Sequence, residues 1–250
     1  MAQLSGRIAL VTAGGGGIGQ ATALALAERG AWVVAADIDA AGLEETLSNC
    51  TAPERLRTVI ADATTQAGAE AAVRAATDAF GGLSILVNVV GGSRPGKTVV
   101  EMTLDEWDGW VRLNLTATFL MCKAAIPAMA ASGGGSIVNI SSGAGVNGMK
   151  KNPAYVAAKG GVVALTKALA IDHAAQKIRA NCIAPGAILT PLMKRNRRPD
   201  EIDWMANANL VGRIGMPHDI AAMVAFLSSD DGAFVNGELI NVSGGQKTGI

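Results

Sequence analysis

The chain is poor in the residues that mark several protein classes. Its 250 residues include three cysteines, Cys50, Cys122 and Cys182. They are odd in number and far apart, which gives neither a disulfide framework nor a metal-ligand spacing, and two histidines do not complete a zinc site. Net charge is missing as well. Lys+Arg and Asp+Glu are equal at 21 each, so the basic excess of a nucleic-acid binder is absent and no nucleic-acid partner is expected. No apolar run approaches the roughly 18 residues needed to span a bilayer. Residues 1–7 hold no charged stretch followed by an apolar one, so neither a membrane partner nor a secretory signal is expected, and the expected location is cytoplasmic. Aromatic residues are scarce at 4 %, and Tyr155 is the only tyrosine.

Apolar residues, at 50 %, and 31 glycines are what the chain has in quantity. That composition supports a large core, and the length suits one α/β domain spanning 1–250. Short apolar runs at 7–12, 31–36, 56–61, 83–88, 136–140, 178–184 and 239–242 read as buried strands. Helical stretches fall between them, at about 18–30, 40–50, 67–80, 105–131, 153–176 and 218–229. Fully apolar strands alternating with helices imply a parallel sheet covered on both faces, doubly wound by right-handed crossovers. Only 186–217 lacks a clear pattern, and a segment that long reads as a lid or a functional loop, at about 187–216.

The glycines between the first strand and first helix let backbone approach a pyrophosphate, whose charge then sits on a helix N-terminus. Gly14, Gly16 and Gly19 fit G-x-G-x-x-G, while Gly17 and Gly19 fit the tail of T-G-x-x-x-G-x-G. Asp37 stands eighteen residues after Gly19, at the tip of the next strand, where a carboxylate accepts from both ribose hydroxyls of an adenosine and repels a 2′-phosphate. No Arg or Lys lies between Thr12 and Gly19 or directly after Asp37, so NAD(H) is expected over NADP(H). Asp62 ends the third strand, either facing an adenine edge or capping the next helix.

Tyr155 and Lys159 are four apart, hence on one helix face. An ammonium beside a phenol, together with the positive nicotinamide of an oxidised coenzyme, stabilises phenolate and is expected to draw its pKa down from about 10, which suits a general acid/base for alcohol–ketone exchange. Ser142, at the carboxyl end of the fifth strand, is placed to donate to a developing alkoxide. Asn114 sits mid-helix between two leucines, where a buried amide needs a specific partner, either a water beside Lys159 or neighbouring core groups.

Together Thr12–Gly19, Asp37, Asp62, Asn88, Asn114, Ser142, Tyr155-x-x-x-Lys159 and Pro185-Gly186 resemble the short, single-domain branch of the short-chain dehydrogenase/reductase family over essentially the whole chain. The resemblance implies a Rossmann-type sheet of about seven parallel strands and a catalytic tetrad. In it Tyr155 exchanges the proton, Ser142 polarises the carbonyl, Lys159 binds the nicotinamide ribose, and Asn114 anchors a relay water. It places the coenzyme against Thr12, Gly14, Gly16, Gly17, Ile18, Gly19, Asp37, Ile38, Asp62, Ala63, Asn88, Val89, Val90, Gly91, Tyr155, Lys159, Pro185, Gly186, Ile188 and Thr190. It also implies a homotetramer formed through the helices around Asn114 and Tyr155. Two positions depart from the family pattern. Ala13 replaces the first glycine of the turn, and Asn88-Val89-Val90-Gly91 replaces Asn-Asn-Ala-Gly, which costs local hydrogen bonding.

By the same resemblance three segments, 92–99, 143–153 and 187–216, choose the substrate, with Ser142, Tyr155, Arg94, Met149 and Met193 as candidate contacts. Arg94, Lys97, Lys150, Lys151, Lys194, Arg195, Arg197 and Arg198 lie in them, either converging on an anionic substrate or forming solvated faces. The leading expectation is an NAD(H)-dependent oxidoreductase of small secondary alcohols and ketones. A 3-oxoacyl-thioester reductase is the nearer alternative, against which Asp37 counts. A non-catalytic dinucleotide sensor or scaffold is the alternative of another class.

Overall fold

The structure, a computed structural model, describes residues 3–245. Seven strands form one parallel sheet in the order β3-β2-β1-β4-β5-β6-β7. They are β1 (Ile8–Thr12), β2 (Trp32–Asp37), β3 (Leu56–Ile60), β4 (Ile85–Asn88), β5 (Gly135–Ile140), β6 (Ile178–Pro185) and β7 (Leu239–Val242). Side-chain alternation divides the core in two. Ala9, Val11, Val33, Ala35, Ile85 and Val87 pack on one face, and Leu10, Val34, Ala36 and Leu86 on the other. The first face is covered by α1 (Gly17–Glu28), α2 (Ala40–Ser48) and, late in the chain, α10 (Pro217–Ser228). The second is covered by α3 (Gln66–Phe80), by the long helical run containing α4 (Leu104–Val111) and α5 (Ala117–Ala131), and by α7 (Pro153–Asp172). This is the doubly wound Rossmann-type architecture. Because β1 lies between β2 and β4, the strand order reverses there and a crevice opens beyond the strands' carboxyl ends.

Four features differ from the sequence expectations. The helix expected over 105–131 is interrupted at Arg112–Thr116 by one π-helical turn, closed by the Ala117 N–H on the Arg112 carbonyl. The helix expected over 153–176 stops at Asp172, and a separate 3-10 turn follows at Ala174–Gln176. The apparently patternless 186–217 holds α8 (Pro191–Asn196) and α9 (Pro199–Asn207), each opened by a proline at its first position. A four-residue helix, α6 (Ala144–Asn147), precedes α7.

The apolar content of two helices is also greater than the run-length reading allowed. Within Leu104–Ala131 and Pro153–Asp172, 18-residue stretches reach mean hydropathies of 1.3 and 1.4, long and apolar enough, by length and composition, to cross a membrane. Scattered polar residues such as Asn114 and Lys123 break the run in sequence, and the apolar residues around them keep the average high. Both helices pack one side on the sheet.

Candidate active site

The turn after β1 is made for close approach. Thr12 is buried, and its hydroxyl accepts from the N–H groups of Val89 at 2.9 Å and Val90 at 3.3 Å, tying the ends of β1 and β4 together. A methyl group on Gly14 would stand 2.7 Å from the Ala35 Cβ, and one on Gly19 would overlap the Ala13 carbonyl oxygen. Gly17 has φ +53°, and Gly16 caps α1 with open space where a side chain would project. No side chain caps the first turn of α1 and no acid lies in it. Ile18 and Gly19 continue that turn, so its N–H groups are left for an anion. These residues fit a dinucleotide.

Asp37 closes the β2 side of the cradle. Its Oδ2 accepts from the Gly15 N–H at 2.9 Å and its Oδ1 from the Asp39 N–H at 3.0 Å. It is not the cap of α2, a place held by Asp39, and Ile38 beside it is exposed. Asp62 is exposed and accepts from the Thr64 N–H and hydroxyl at 2.9 and 2.7 Å, next to buried Ala63. The helix-cap role weighed for Asp62 belongs instead to Thr65, whose hydroxyl accepts from the Gly68 N–H.

The proposed chemistry gathers at the ends of β4 and β5. The Ser141 hydroxyl donates to the Lys159 carbonyl at 2.7 Å, and Lys159 Nζ donates to the Ile140 carbonyl at 2.8 Å. These two bonds clamp α7 on the end of β5 and bring Tyr155, one turn earlier, towards Ser142. Gly145 permits the approach, since a methyl group there would lie 2.7 Å from the Lys159 carbonyl carbon. The Ser142 hydroxyl accepts from the Ala144 N–H at 3.1 Å. A methyl group on Gly91 would meet Asn114 Oδ1 at 2.7 Å and Lys159 Nζ at 2.8 Å, so both groups border one point.

The surroundings of Asn114 and Tyr155 are specific. Asn114 is committed to backbone: Oδ1 accepts from the Gly92 N–H, and Nδ2 donates to the Gly92 and Trp110 carbonyls, each at 3.0 Å. Its carboxamide braces the loop after β4. For Tyr155 the lowering is expected of Lys159 together with an oxidised coenzyme, and the protein alone shows the opposite direction. Burial raises the phenol above its ordinary value, and the Ser142 hydroxyl offsets part of that. Burial also brings Lys159 down to about 8. Its ammonium is turned to the Ile140 carbonyl, so the acidity expected of Tyr155 is not present in the protein alone.

Beside Val89-Val90, Asn88 Nδ2 donates to Asn139 Oδ1 at 2.8 Å, and Asn139 Nδ2 to the Thr166 hydroxyl at 2.9 Å, while Asn88 Oδ1 is buried without a partner among the described residues. On the far side Gly186 packs against Ser243, just after β7, where a methyl group on the glycine would lie 2.9 Å from the Ser243 Cα. The Gly186 N–H donates to the Val242 carbonyl at 3.1 Å, and Ile188 is buried. Pro185 ends β6, and its carbonyl accepts from the Gly143 N–H at 3.0 Å. Thr190 caps α8 through the Met193 N–H at 3.2 Å and turns its methyl to the phosphate turn, 3.2 Å from where a Gly17 Cβ would stand.

The expected substrate contacts are less gathered. Arg94 and Met149 are exposed, and Met193 is half-buried. Several of the cations that sequence alone left open to an anion are paired with acids: Lys97 with Glu106, Arg197 with Glu201 and Arg198 with Asp200. Sequence reasoning missed Gly15, Ser141 and Gly145, which hold the cradle and α7 in place. The Ser141-Ser142 doublet carries a signal, because successive residues at a strand end face opposite ways.

A family model described as enoyl-(acyl carrier protein) reductase matches residues 12–247. The chain is 38% identical over 244 residues to the (2S)-[(R)-hydroxy(phenyl)methyl]succinyl-CoA dehydrogenase subunit BbsD of Thauera aromatica, covering 97% of each chain. It is 36% identical to the cyclohexanol dehydrogenase of Acinetobacter sp. (strain SE19), covering 97% of this chain and 95% of that one. Among solved structures, levodione reductase superposes with a TM-score of 0.93 at 34% identity, covering 99% of this chain and all of the other.

Proposed function

Because the chain belongs to the short-chain dehydrogenase/reductase family, and is an oxidoreductase of alcohols and ketones that uses a nicotinamide coenzyme, we propose that it uses NAD(H) and that Tyr155 moves the proton. The observation that carries this is the meeting of Tyr155, Ser142 and Lys159 at the end of β5, beside the glycine cradle. When bound, the coenzyme supplies or accepts the hydride. Tyr155 gives a proton to the carbonyl oxygen in reduction and takes it back in oxidation. Ser142 donates a hydrogen bond to the oxygen as charge develops on it. Lys159 holds the nicotinamide ribose and brings positive charge towards the phenol. Asn114 keeps the loop after β4 against that site through Gly92.

Asp37 supports NAD(H) over NADP(H). Its carboxylate is fixed at the edge of the turn by the Gly15 and Asp39 N–H groups. A 2′-phosphate there would meet Asp37 and Asp39 with no cation among the adjacent residues. The test is Tyr155→Phe. It is expected to lower turnover by about 10²–10⁴-fold while NADH affinity stays within about twofold, measured by coenzyme fluorescence. Turnover at the wild-type rate would remove Tyr155 from the proton-transfer role. Wild-type protein that binds NADPH more tightly than NADH would overturn the role given to Asp37.

A further inference from the structure

The 187–216 segment closes on itself at a narrow neck. Gly215 donates its N–H to the Ala187 carbonyl at 3.0 Å, and the Leu189 N–H donates to the Gly215 carbonyl at 2.8 Å. Ile188 lies buried in that neck, and a side chain on Gly215 would strike its Cδ1 at 2.5 Å. The neck therefore has one tight register. Two residues before Gly215, Arg213 donates both terminal nitrogens to Asp219, Nη1 to Oδ2 and Nη2 to Oδ1, each at 2.7 Å. Asp219 also accepts from the Met216 N–H at 2.7 Å, and buried Asn209 donates to the Arg213 carbonyl at 2.8 Å. Asp219 sits in the first turn of α10, which packs along α1, the helix that opens at the phosphate turn. From the other side of the neck, Thr190 reaches over Gly17.

We propose that Arg213 and Asp219 are positioning residues that hold this neck in register, so that Ile188 and Thr190 stand over the nicotinamide half of the coenzyme. The pair touches neither coenzyme nor substrate. It links the neck to α10, which packs along α1, the helix that opens at the phosphate turn, and two parallel charged hydrogen bonds fix an angle as well as a distance. The proposal rests on the NAD(H) reading above. Arg213 is about half exposed and Asp219 mostly covered, so this forked pair adds a modest amount to global stability while setting local geometry.

The test compares NADH with AMP, which carries only the adenosine half, in wild type, Arg213→Ala, Arg213→Lys and Asp219→Asn. Arg213→Ala is expected to raise the NADH Kd about tenfold, with AMP affinity unchanged within about twofold. Arg213→Lys, which keeps the charge and loses the fork, is expected to fall between. The melting temperature of the coenzyme-free protein should drop by less than about 4 °C. Equal weakening of NADH and AMP, or an unchanged NADH Kd in all three variants, would overturn the positioning role and leave the coenzyme reading standing. Wild-type protein that binds neither NADH nor NADPH would overturn both.

Discussion

At the scale of single residues, burial moves Tyr155, proposed for proton transfer, and Lys159, proposed to support it, in opposite directions. Removing a phenol from water disfavours phenolate, and removing an ammonium from water disfavours its charge, so Tyr155 moves up and Lys159 down to about 8. The acidity of Tyr155 then has to arrive with positive charge brought to the loaded site. Since Tyr155 is the only tyrosine, its phenolate absorbance is directly readable. The expected midpoint lies above 10 in the coenzyme-free protein and falls when NAD is added; a midpoint that does not move on saturation would contradict the proposed coupling. Lys159 carries a stability cost of opposite pH sense to a salt bridge. Between pH 8 and 10.5 the unfolded lysine holds a proton that the folded one has lost, so stability rises with pH through that window and the full cost is present at pH 7. Lys159→Met removes the cost along with the bond to the Ile140 carbonyl, and is expected to stabilise the protein at pH 7 by about 2 kcal/mol. That gain should shrink towards pH 10 in thermal melts, and turnover should be lost.

At the scale of elements, the turn between β1 and α1 holds an alanine where the backbone asks for glycine. Ala13 has φ +53°, a left-handed conformation that costs an ordinary residue about 1–2 kcal/mol. Ala13→Gly is expected to raise stability by about 0.5–1 kcal/mol once the greater freedom of the unfolded glycine is subtracted, measured by denaturant unfolding. No gain would mean that contacts of the Ala13 methyl offset the strain. Much of this turn was legible in the sequence, because strand, glycines, helix and Asp37 follow one another in a fixed order with a local physical cause. The strands were legible too, as apolar runs bounded by Gly and polar residues. The π turn at Arg112–Thr116 was not. An extra residue turns the apolar stripe by about 100°, but α5 is apolar on nearly every side and hides that shift; the bonds of Asn114 to Gly92 and Trp110 are made from within the turn. For α8 and α9 the prolines at Pro191 and Pro199 mark the starts, but the helices are short and largely exposed, so no apolar period reveals them. The direction of the Tyr155 shift was beyond sequence altogether, because spacing on a helix does not say which way a lysine side chain turns.

At the scale of the whole molecule, the helices bearing Asn114 and Tyr155 keep apolar residues on their outer sides. Leu104, Phe119 and Ile171 are exposed at 73%, 47% and 77%, and less than half of the most apolar stretch of either helix is buried. Apolar side chains gathered on an outer helix face are a common feature of contacts between chains. The family resemblance implies a homotetramer formed through these helices, and the exposed residues give that proposal a physical motive. Light scattering at micromolar concentration is expected to show a tetramer for the wild type. Phe119→Glu would place an unpaired carboxylate in the contact, at a cost of several kcal/mol, and should shift the population to smaller species. Asn114 and Tyr155 lie on the same helices, so loss of the contact is also expected to lower turnover while the cradle around α1, on the opposite face of the sheet, keeps its NADH affinity within about threefold. A wild-type monomer, or a tetramer indifferent to Phe119→Glu, would show that these faces are not the contact.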